Sequence, residues 1–168
     1  MLILFTLAIS FFLDGFVSTL VPFTMNNLFL LTAFFAIVSL VVLYPYYNHN
    51  DKQFLLSCFI IGLLYDIVYT DTLLLNATLF LLVGLFIKLI NQIFTNSILN
   101  VGIISFIVLI VYHLLTYLFL KIVGYGDINS IFLVHIILKS FLLNVGYSTI
   151  LYFVLDRVSD KYKIKRIN

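Results

Sequence analysis

Five side chains that can carry charge stand inside runs of Leu, Ile, Val and Phe: Asp14, Asp66, His113, His135 and Lys139. Two carboxylates could work as general acid and base if a nucleophile or a metal stood beside them. No nucleophile accompanies Asp14 or Asp66, and the histidines lack a His-x-x-x-His spacing that would put two ligands on one helix face. Neither a catalytic residue nor a metal is expected. His135 and Lys139 are four apart, so they share a helix face.

A charge at the centre of a membrane helix costs about 2.5–3.5 kcal/mol on insertion scales. Each of the five therefore needs a partner, water or neutralisation. The expected arrangement is one intramembrane polar cluster in which Lys139 neutralises Asp66 or Asp14. Two readings of such a cluster stay open. It is a substrate or proton site, or it is a buried ion pair that fixes helix register.

The elements that must hold these groups are apolar and long. Hydrophobic residues make up 64% of the 168-residue chain and charged residues 10%, against about 25% charged in a soluble domain. A bilayer core of roughly 30 Å needs about 20 apolar residues in a helix. Six stretches approach or reach that length: Leu2 to Leu20, Asn27 to Tyr47, Phe54 to Tyr69, Leu73 to Ile90, Ile98 to Leu120 and Ile131 to Leu155. The expected fold is an all-α integral membrane protein, a six-helix transmembrane bundle with short loops in a single polytopic domain. It leaves no room for a soluble catalytic domain. Leu2 to Leu20 lacks a basic flank and is too long for a signal peptide, so it reads as a retained span.

The breaks between spans are brief. Pro45 stops the second helix among three tyrosines suited to a headgroup interface. Asp71 or Thr72 is placed to cap the fourth helix, and Ser130 the last. Cys58 is the sole cysteine, so no internal disulfide forms, and with Gly62 it makes a small-xxx-small pair that lets the third helix pack closely.

Orientation follows from lysine and arginine. Arg157, Lys161, Lys163, Lys165 and Arg166 follow the last span and mark the cytoplasmic side. Six crossings then place both termini in the cytoplasm, with Lys52 and Lys88 on the same side and Lys121 at the outer border. At 1.5 Å per residue, all five intramembrane ionisable groups fall in the outer half, about 6 to 13 Å below the outer face. The basic tail also suits anionic lipid. Nothing in the chain suits nucleic acid or a cofactor.

The segment Gly62-Leu63-Leu64-Tyr65-Asp66, followed by a turn and Leu73-Leu74-Leu75-Asn76-Ala77, resembles the bacterial rod shape-determining protein MreD family. Gly62, Asp66, Leu73, Leu75, Asn76 and Ala77 match the pattern, Asp14-Gly15 near the end of the first helix fits it, and Leu74 stands where many members have glycine. The resemblance implies a non-enzymatic scaffold of the cell-elongation complex in the bacterial plasma membrane. It would dock an MreC-like bitopic protein and connect MreB filaments to the RodA polymerase and its class B penicillin-binding partner, supporting peptidoglycan synthesis. Gly62, Tyr65, Asp66 and Asn76 would form a partner-binding or structural motif. The family's architecture is similar to the substrate-binding subunits of energy-coupling-factor transporters. A vitamin-transporter subunit is therefore the alternative function, although the short outer loops suit it poorly.

Overall fold

A computed structural model describes residues 2–20, 33–48, 50–70, 72, 74–94, 97–124 and 130–163, apart from the side chains of residues 130–133, 135, 136 and 139. The described residues form helices and turns without a strand. The helices are α1 (Leu2–Leu20), α2 (Phe35–Leu43), α3 (Asp51–Tyr65), α4 (Leu75–Asn91), α5 (Ile98–Ile122) and α6 (Ser130–Tyr162). A 3-10 turn, Tyr44–Tyr47, extends α2 with Pro45 near its start, and a π-helical turn, Asp66–Thr70, extends α3. Among the described residues, four segments are long and apolar enough to cross a membrane: Leu2–Leu20, Asp51–Thr70, Ile98–Ile122 and Ser140–Tyr162.

Two apolar helices are shorter, Phe35–Tyr47 and Leu75–Asn91. At 1.5 Å per residue they reach about 20 and 25 Å. The second spans Leu75–Asn91 where hydropathy predicts Leu73 to Ile90. For the first, hydropathy predicts a start at Asn27. Ala33 and Phe34 are non-helical, and the helix opens at Phe35. Residues 27–32 lie outside the described residues.

α2 is the axis of the bundle. Every residue from Phe35 to Leu43 is buried, and α1, α4, α5 and α6 all pack against it. α3 lies along α4, and α5 along α6. In lipid the tails outside are as apolar as the core, so burial alone drives little association; close packing and internal hydrogen bonds do the holding. The α3–α4 contact is built that way. A Cβ on Gly62 would stand 2.5 Å from the Asn76 carbonyl oxygen and 2.7 Å from Ala77 Cα. A Cβ on Gly84 would stand 2.7 Å from Cys58 Sγ. At the other end of this hairpin Lys88 Nζ meets Asp51 Oδ2 at 2.8 Å.

The helix starts show how each opening turn is satisfied. Asn50 accepts from Gln53 N at 3.3 Å, and Ser97 accepts from Asn100 N at 3.3 Å. Neither arrangement recurs at α4. Leu74 precedes it in the left-handed region, with φ 62°, and its side chain caps nothing. The cap expected from Thr72 comes instead from Asp66, because Thr72 spends its hydroxyl on that carboxylate. Asp71 and the Ser130 side chain lie outside the described residues.

Candidate functional site

A helix begins with backbone N–H groups that have no carbonyl partner, and their dipoles attract negative charge. In water such groups hydrate. Inside a bilayer they must find an acceptor in the protein. Two of the chain's helices find one in the same way, on an aspartate carried by the preceding helix.

At α4, Asp66 Oδ1 accepts from Asn76 N at 2.8 Å and Asp66 Oδ2 accepts from Ala77 N at 2.9 Å. Thr72 Oγ1 and Asn76 Nδ2 complete the shell at 2.6 and 3.1 Å. At α2, Asp14 Oδ1 accepts from Phe35 N at 2.5 Å and Asp14 Oδ2 from Ala36 N at 2.9 Å. The Tyr65 hydroxyl also donates to Asp14 Oδ2. Each carboxylate thus straddles two consecutive amides, one per oxygen, and takes at least one hydroxyl besides. Both are buried. Charge-assisted bonds of this kind are roughly twice as strong as neutral ones.

Neighbouring groups tie the two caps into the bundle. Asn144 Oδ1 on α6 accepts from Phe34 N at 2.7 Å, so three successive amides entering α2 are satisfied by side chains of two other helices. Tyr112 on α5 donates to Asn76 Oδ1 at 3.1 Å, while Asn76 Nδ2 also reaches Thr70 Oγ1 at 3.0 Å. Tyr69 donates to the Phe11 carbonyl at 2.8 Å and crowds Gly15, where a Cβ would lie 2.5 Å from its hydroxyl. Ser10 and Tyr147 bond at 2.8 Å between α1 and α6. Tyr65 packs between Phe11, edge to face, and Phe80, tilted, with centroids 5.4 and 5.0 Å away.

The residues expected from the sequence divide three ways. Asp14, Tyr65, Asp66, Asn76 and Gly62 come together where α1, α2, α3 and α4 meet. His113 is buried nearby, its ring edge-on to Phe34 at 4.9 Å, and its Nε2 has no hydrogen-bond partner among the described residues. It bonds neither carboxylate. His135 and Lys139 are on α6, but the expected pairing of Lys139 with an aspartate lies outside the described residues. Sequence reasoning passed over Tyr112 and Asn144. Asn144 carried a signal: it is the one side-chain amide in the apolar run of α6, and such a group in lipid requires a partner.

Both carboxylates are engaged in holding helix starts. The carboxylate oxygens point at helix amides, and among the described residues no three His, Cys or acidic groups gather as a metal would need.

The family profile described as rod shape-determining protein MreD matches residues 1–161. A protein of Streptococcus pneumoniae (strain ATCC BAA-255 / R6) named cell shape-determining protein MreD is 24% identical over 119 residues, covering 70% of this chain and 73% of that relative. No solved structure matches the chain.

Proposed function

The chain belongs to the rod shape-determining protein MreD family, whose role is in cell shape, and on that premise we propose that it is a non-enzymatic membrane scaffold of the cell-elongation complex. It docks an MreC-like bitopic protein through its lipid-facing helices and so links MreB filaments to the RodA polymerase and its class B penicillin-binding partner. The chain crosses the bilayer six times with both ends in the cytoplasm, and its C-terminal basic segment meets anionic lipid.

The observation that carries this reading is the saturation of the motif. Gly62 lets α3 touch the start of α4, and Asp66 ties that start down through Asn76 and Ala77. A motif engaged in joining helices sets the shape of a surface, and Tyr65, Asp66 and Asn76 all spend their polar groups on such bonds. The faces of the hairpin turned away from the bundle are apolar, with Leu56 and Ile60 on α3 and Leu82 and Leu89 on α4 all exposed. Another membrane span can pack there by shape.

The test is co-purification. Asp66→Ala should leave insertion intact but reduce capture of the MreC-like protein, and cells relying on it should widen. Cysteines placed at Leu56 and Leu82 should crosslink that partner in native membranes. Unchanged capture and normal width in Asp66→Ala cells would remove the motif from partner binding. A small molecule co-purifying with the detergent-extracted protein would favour the transporter reading instead.

A further inference from the structure

α6 is the longest helix, at 33 residues, or about 50 Å. A bilayer core takes up roughly 30 Å of that, so one end of α6 continues as helix past the hydrocarbon. The end that leaves is the C-terminal one, by composition. Apart from Lys139, the charged residues of the helix crowd into its last turns, as Asp156, Arg157, Asp160 and Lys161. The helix stays attached to the bundle there, since Leu155 and Ser159, one turn apart, are each only 3% exposed. Its register is therefore fixed, and so is the face it turns outward.

That outward face reads as a gradient. Ile150, Phe153 and Val154 are exposed, and Arg157 and Lys161 continue the same stripe, also exposed. Spacings of three and four keep these five side chains on one side of the helix. Asp160 flanks the two cations and is exposed as well. Apolar surface thus gives way to paired positive charge within two turns, at the level where a helix passes from acyl chains to headgroups. Long basic side chains at such a level extend toward phosphate.

We propose that this stripe binds an anionic phospholipid, with an acyl chain along Ile150 and Phe153 and the phosphate between Arg157 and Lys161. The lipid fits on two counts: the cations match its charge, and the apolar surface continuous with them matches its tail. The site deepens the lipid contact proposed above and rests on the crossing of α6.

The chain contains no Trp, so Phe153→Trp supplies a single fluorescent reporter one turn from Arg157. The purified protein is placed in phosphatidylcholine vesicles, and acyl-brominated phosphatidylglycerol or acyl-brominated phosphatidylcholine is added in turn as quencher. Brominated phosphatidylglycerol should quench several-fold more effectively at low salt. The preference should fall about fivefold with Arg157→Gln or Lys161→Gln, and vanish in the double variant. Phe12→Trp on α1, at a position 71% exposed with no cation on its helix, should show no preference. Equal quenching by both lipids at position 153, an equal preference at position 12, or a preference that survives loss of both cations would overturn the site while leaving the crossing intact. Absence of quenching by either lipid would overturn the crossing itself. No partner protein is present, so none of these results depends on the scaffold role.

Discussion

Tyr65 and Asp66 are neighbours in sequence, yet they serve the starts of two different helices. The Tyr65 hydroxyl donates to Asp14, which caps α2, and Asp66 caps α4 directly. Successive residues of a helix point about 100° apart, so one turn of α3 reaches both sides of the junction. The π-helical turn begins at Asp66 itself. Turns of this kind are wider than α-helical ones and tend to mark functional positions in helices. The end of α3 is thereby the piece that locks α1, α2 and α4 to one another.

Removing the Asp66 carboxylate should cost stability even if the protein still inserts. Asp66→Ala strands two buried helix amides, with a penalty of about 1–3 kcal/mol for each group left unpaired. Asp66→Asn keeps one acceptor oxygen but turns an amide donor toward the remaining N–H, so it should fall between wild type and Asp66→Ala. Unfolding in mixed micelles ranks the three. An Asp66→Asn variant as stable as wild type would mean that one oxygen suffices.

Tyr65→Phe removes the hydroxyl that Asp14 accepts and nothing else of size. It should lower stability by about 1.5–3 kcal/mol, as for a bond to a charged group. In an Asp14→Ala background the same change should cost much less, because its acceptor is gone. Full additivity of the two changes would show that the bond does not form.

Gly62 and Gly84 differ in what a methyl group would strike. At Gly62 it meets the backbone of Asn76 and Ala77, which cannot move without moving the start of α4. Gly62→Ala should therefore destabilise by about 1–3 kcal/mol, the range for overpacking. At Gly84 it meets the end of the Cys58 side chain. Gly84→Ala should be destabilising alone and largely relieved by Cys58→Ala, whereas Cys58→Ala should give Gly62→Ala no relief. Thermal denaturation of the single and double variants in detergent decides this.

Leu74 sits in the left-handed region at φ 62°, a conformation that costs an L-residue with a Cβ about 1–2 kcal/mol. Its side chain is half exposed, at 50%, so little packing is lost on truncation. Leu74→Gly should raise stability by about 1 kcal/mol, against the usual penalty for glycine. A fall in stability would place the value of Leu74 in its side-chain contacts.

Much of this architecture is written in hydropathy alone. Long charge-poor runs dictate helices in lipid, because every backbone amide must be bonded internally where no water reaches. The four-residue spacing of Cys58, Gly62 and Asp66 puts them on one face of α3 and its extension, and the family resemblance is legible in the same few residues. Hydropathy could not reveal where α2 begins. Leu28 to Leu43 reads as one apolar run in which only Thr32 and Ser39 are polar, and nothing in it marks Phe35 as the first helical residue. That boundary depends on Asp14, 21 residues earlier, and on Asn144, 110 residues after Phe34. Which acidic side chain faces which helix start is a matter of how separate helices cross. Sequence separation carries no record of that geometry, and only the packed bundle brings acceptor and amide together.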